Sequence, residues 1–129
     1  MALGGNALKL RCPLEETHSM ELVVPSPGVS AGDMYRIEKT IGVWAMDYDT
    51  RDVGVLIYEA PKIIVPCAVA TTSVDYDVGE PVYYDVADAE VNLSTSGNYL
   101  CGVVLVQPAI GACEVEIELT GLANLTLGT

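Results

Sequence analysis

Phenylalanine is absent from this 129-residue chain, and histidine occurs once, as His18. Cations are scarce too: 6 Lys+Arg stand against 18 Asp+Glu, for a formal net charge of -12. A field of that sign repels phosphate and anionic lipid, so neither nucleic acid nor membrane is expected as a partner. No apolar run approaches the roughly 18 residues of a membrane-spanning helix. The start does not read as a secretory signal, because Lys9 and Arg11 follow the first short apolar stretch instead of preceding it. No Cys-x-x-Cys pair exists, and Cys12, Cys67, Cys101 and Cys113 give no zinc-type spacing. Free thiols are expected, with Cys67 and Cys101 acting as small buried hydrophobes. A phosphate-cradling loop is missing, since Gly4-Gly5 has no strand before it and no helix after it. The lone His18, between Thr17 and Ser19 in an irregular segment, is a poorly held base for a Ser-His-Asp or Cys-His arrangement. The expectation is a protein with no catalytic residue, no bound metal and no cofactor.

What is present points to a folded domain. Half of the residues are hydrophobic and 19% are charged, too apolar for a disordered acidic tail. The length is that of one domain. Seven Tyr and one Trp supply all the aromatics. Rings with a polar tip suit half-exposed faces, which leaves the core to Val, Ile, Leu and Ala.

Residues 1–30 differ from the rest. Pro13, Pro25 and Pro27 break them up, and only Met20-Glu21-Leu22-Val23-Val24 reads as a short strand. Their apolar content (Leu3, Leu8, Leu10, Leu14, Leu22, Val23, Val24) exceeds that of a solubilising tail. Two readings stay open: an extended arm that orders on another surface, or an edge strand of the same domain.

From residue 31 to residue 129 short strands alternate with turns. Expected strands cover Met34 to Lys39, Ile41 to Met46, Val53 to Glu59, Lys62 to Val65, Pro81 to Asp85, Ala89 to Leu93, Tyr99 to Val106 and Glu114 to Leu119. The run from Tyr99 to Val106 reads as a strand buried on both faces. Glu114, Glu116 and Glu118 alternate with Val115, Ile117 and Leu119, putting three carboxylates on one face. No helical stripe appears. The fold class is all-β, a small β-sandwich or barrel with an extended N-terminal arm.

Two acidic loops, Asp47/Asp49/Asp52 and Asp75/Asp77/Glu80, carry closely spaced hard-oxygen ligands of the kind calcium takes. Neither follows the twelve-residue calcium loop, and aspartate is also a common turn former. Asn92-Leu93-Ser94 and Asn124-Leu125-Thr126 match the glycosylation pattern, read here as chance matches. The end, from Gly121 to Thr129, is left open between a last strand, a docking tail and disorder.

The segment from about Val29 to Leu119 resembles a phage family of capsid decoration, or cement, proteins. The residues carrying the likeness are Ser30-Ala31-Gly32-Asp33, Ile41-Gly42-Val43 and Val53-Gly54-Val55. They continue with Val78-Gly79-Glu80-Pro81-Val82-Tyr83-Tyr84-Asp85, then Gly97-Asn98-Tyr99-Leu100-Cys101-Gly102-Val103-Val104, and close on Val115-Glu116-Ile117-Glu118-Leu119. Their order is more specific than any one motif. The thirty-residue lead and the acidic final strand depart from the family's usual pattern. The resemblance implies a virion protein on the outer capsid surface, assembled in the host cytoplasm, that binds the major capsid protein and forms homotrimers. Capsid contact is then expected from Leu8, Lys9, Leu10, Arg11, Leu14, Leu22, Val23 and Val24, and self-association from Trp44, Tyr83 and Tyr84, with Trp44 equally readable as an ordinary core aromatic of the strand Ile41 to Met46. A head-fibre base or glycan-binding module is the alternative role. A small metal-dependent hydrolase built on Asp47, Asp49 and Asp52 is a more distant one.

Overall fold

The computed structural model describes residues 8–120 and 127–128. The described chain is nearly all β, and its strands form a nearly closed, barrel-shaped sheet. In chain order these are β1 (Lys9–Leu10), β2 (His18–Val23), β3 (Met34–Ile37), β4 (Thr40–Trp44), β5 (Val53–Pro66), β6 (Pro81–Asp85), β7 (Glu90–Asn92), β8 (Asn98–Val106), β9 (Glu114–Thr120) and β10 (Leu127–Gly128). The main path runs β3-β4-β5-β9-β8-β6-β7, and each strand along it is antiparallel to its neighbours. A parallel bridge between Cys67 and Val91 ties the end of β5 towards β7 and draws the sheet round.

The organising element is β5, 14 residues long. The sequence divides it at Ala60-Pro61, but the structure runs it through as one strand. Proline has no N–H to give to a ladder, and the register shifts between Ala60 and Ile63 as a bulge. One edge of β5 takes β4 at Leu56 and Ile57 and then β9 from Glu59 to Pro66. The opposite edge is covered by β2 from Val53 to Glu59 and by β1 at Ile63 and Ile64. Residues 8–24 therefore run antiparallel along their own β5, interrupted by a single 3-10 turn at Leu14–Glu16.

Alternation along the strands builds two cores. The interior of the barrel holds Ile41, Val43, Ile57, Ile63, Val65, Val82, Val91, Cys101, Val104, Ile117 and Leu119, all essentially sealed from water. The second core lies on the other face of the β2-β5-β4-β3 region. It is built on Val24, Trp44 and Leu56, with Met20, Leu22, Val29, Tyr35, Ile37 and Tyr48 packed around them. A Cβ at Gly54 would stand 2.8 Å from the Tyr48 ring and 2.9 Å from Val24 Cγ2. Only glycine lets those two side chains close over the strand. Similarly, a Cβ at Gly102 would lie 2.3 Å from the Glu118 carbonyl oxygen, so β8 and β9 meet closely there.

Two expectations need correction. Tyr99 to Val106 is not buried on both faces: Leu100 and Val106 are exposed, since β8 forms part of the barrel wall with only one side inward. Nor do all the tyrosines sit at half-exposed positions. Tyr76 is fully buried, its hydroxyl donating to the Ala68 carbonyl at 2.7 Å, and Tyr84 is 3% exposed.

Candidate functional site

The segment expected to be an arm places its side chains by simple alternation. Leu8, Leu10 and Cys12 turn in against the barrel core, while Lys9 and Arg11 point out. Leu22 packs on the second core and Val24 is 2% exposed within it. Val24 thus contributes to its own chain's interior, leaving no surface for a partner. Leu14 and Val23 remain outside, 65% and 68% exposed, and Val23 pairs across the strands with the equally open Val53. Of the expected self-association residues, Trp44 has no exposure and Tyr84 almost none. Tyr35 and Tyr48 flank the indole at 5.3 and 5.9 Å between ring centroids, so Trp44 is the centre of the second core and not a surface anchor. Tyr83 alone of the three keeps an outward, half-buried position. The Leu3 and Asn124 readings fall outside the described residues.

Four of the six loop carboxylates accept hydrogen bonds, two of them within their own turns. Asp47 Oδ1 accepts from the Ala31 amide at 2.8 Å, and Asp52 Oδ2 accepts from the Asp49 amide at 2.9 Å. In the second loop, Glu80 Oε1 accepts from the Asp77 amide at 3.1 Å, and Asp77 Oδ1 accepts from Gln107 Nε2 at 3.1 Å. Among the described residues no three His, Cys, Asp or Glu side chains are grouped to hold a metal ion. His18 stands on the surface with Nδ1 2.7 Å from Glu59 Oε1. A depression of about 370 Å³ is lined by Asp33, Met34, Pro66, Asp88, Ala89 and Glu90. Partial burial, reinforced by Asp88 and Asp85, holds the Glu90 carboxyl above the usual range.

The buried thiols are inert. Burial pushes Cys101 up to about 12 and Cys67 up to about 11, so neither forms a thiolate near neutral pH. All four cysteines are free.

The most ordered surface is the outer face of β1-β5-β9-β8. Pairing across the strands sets Lys9, Ile64, Glu116 and Val106 side by side in one row. Arg11 extends the β1 column, Pro66 the β5 column, and Glu114 and Glu118 the β9 column. The face therefore reads as a column of cations, a column led by Ile64 and Pro66, a column of carboxylates, and an edge of valines. Lys9 Nζ reaches both Glu114 oxygens, at 2.7 and 2.9 Å. Glu116, Glu118 and Arg11 make no ion pair among the described residues. Beside this face lies an open, mainly apolar groove of about 400 Å³, walled by Ile64, Val106, Pro108, Ala109 and Ala112.

Taken together, these features define an all-β structural body whose ordered chemistry is on its surface. No helix among the described residues is long and apolar enough to cross a membrane. Residues 14–119 match the phage cement protein family, and the chain belongs to that family. Its role is capsid decoration and stabilisation, and its place is the phage capsid. No curated protein matches the sequence.

Proposed function

We propose that this protein binds the outer surface of the major capsid protein lattice and stabilises the phage head without catalysing a reaction. The observation that carries this reading is the family match over residues 14–119. The physical requirements agree with it. A cement protein needs a rigid body, and one barrel core with a second core outside it supplies that. It also needs apolar surface left over for a lattice. Leu14 and the Val23–Val53 pair are apolar, exposed, and held by β2, β5 and the adjoining turn. In this reading they form the capsid contact, with Leu8, Leu10 and Leu22 holding the segment in place from below. The net charge of -12 keeps many surface copies soluble and off the packaged genome.

Homotrimers, with Tyr83 as an outward aromatic, follow from the resemblance to decoration proteins. Assembly on the head in the host cytoplasm follows from the same source. The test is heat disruption of expanded capsids that lack the protein. Adding it should raise the temperature at which they open, and Val23→Asp with Val53→Asp should remove the gain. An unchanged opening temperature with the wild-type protein would sink the reading.

A further inference from the structure

We propose that the outer face of β1-β5-β9-β8 is a contact between two copies of this chain, related by a two-fold axis running along β5. The occupant follows from charge complementarity. Cations number only six in the whole chain, yet Lys9 and Arg11 project side by side from its edge strand β1. Two strands away, about 10 Å at ordinary strand spacing, Glu116 and Glu118 project from β9 without a described ion-pair partner. Between them the β5 column holds Ile64 and Pro66, uncharged and half-buried, with the exposed Lys62 at its bulged end.

Rotation by half a turn about β5 exchanges the columns on either side of it. Lys9 of one copy then lies over Glu116 of the other, and Arg11 beside Glu118, while the same two pairs repeat on the far side. Ile64 meets its own copy at the axis. A two-fold across the strands would instead stack cation on cation and carboxylate on carboxylate. The face is thus self-complementary in only one of the two orientations. At the bulged end the two Lys62 side chains meet near the axis with Arg11 and Glu118 of both copies beside them, so that row holds four cations to two carboxylates and the balance over the whole face is completed by Glu114 and Glu116. The contact uses neither Val23 nor Val53, and it needs no capsid.

The experiment is sedimentation of the full chain over a wide range of protein and salt concentrations. One variant carries Glu116→Lys and Glu118→Lys, making the face positive; another carries Lys9→Glu and Arg11→Glu, making it negative. Far-UV circular dichroism and Trp44 emission establish that each is folded, and the facing single changes Glu118→Lys and Arg11→Glu replace the pair of doubles if either is not. The wild type is expected to double the mass of its salt-resistant species at low salt. Each variant alone should associate at least about tenfold more weakly, and an equimolar mixture of the two should recover the doubling. Wild-type mass that ignores salt and concentration would overturn the proposal. So would variants that associate like wild type, or a mixture that fails to pair.

Discussion

Trp44 is the single tryptophan of the chain, and it has no exposure. Its neighbours Val24, Leu56, Tyr35 and Tyr48 come from two strands and two loops, so the indole reports on the whole second core. Trp44→Ala should cost about 3–5 kcal/mol, measured by urea unfolding, because so large a side chain leaves a cavity that β-strands cannot close. Emission of the native protein should be blue-shifted and move to the red in one step on unfolding. The thiols give a second residue-level expectation. In the unfolded chain Cys67 and Cys101 ionise near their ordinary 9.0, whereas in the fold they hold their protons to about 11 and about 12. Between those values the native state binds more protons than the unfolded one. Their contribution is therefore complete below about pH 9 and is lost as the pH rises beyond it, by about 1.4 kcal/mol per pH unit per thiol. Replacing both with alanine should flatten that alkaline slope. Unchanged slopes in denaturant titrations from pH 8 to 11 would contradict the burial described for them.

At the scale of elements, the local strands were legible because alternation is a local property. Val115, Ile117 and Leu119 against Glu114, Glu116 and Glu118 could be assigned to faces from the sequence, and the fold places them so. What alternation could not reveal was the partner of each strand. Met20 to Val23 lie in a strand as the pattern indicates, though β2 starts at His18 and leaves Val24 outside it, and its pairing with β5 joins residues thirty or more apart, which no local pattern encodes. The two readings of Trp44, surface anchor or core aromatic, stay undecided in the sequence for the same reason: its burial depends on a second core assembled by Val24 and the loops that follow, outside the barrel. The bulge at Pro61 was hidden because proline normally ends a strand, and only pairing on both edges carries β5 through it. These pairings change what a truncation should do. Removing Met1 to Val24 strips one whole edge of β5 and takes Val24 from the second core, so the remainder should melt well below the full chain or fail to fold. A truncated protein with an unaltered melting temperature would show that residues 8–24 are an accessory arm. By contrast Lys9→Ala should shift stability by under about 1 kcal/mol, since the Lys9–Glu114 pair is exposed.

For the whole molecule, the division of labour is between a sealed interior and a patterned exterior. The interior accounts for rigidity: a long bent strand serves two cores at once, and both would have to open for the body to yield. The exterior carries the exposed Leu14, the exposed Val23–Val53 pair at the other end of β2 and, apart from these, the columned face of β1-β5-β9-β8. A decoration protein must grip a lattice and tolerate its own neighbours, and two surfaces allow those tasks to be separated. Co-sedimentation with expanded phage capsids lacking this protein measures capsid binding itself. Saturable binding at a fixed ratio to the major capsid protein is expected, weakened by Val23→Asp. Wild-type protein that stays in the supernatant at every concentration would contradict it.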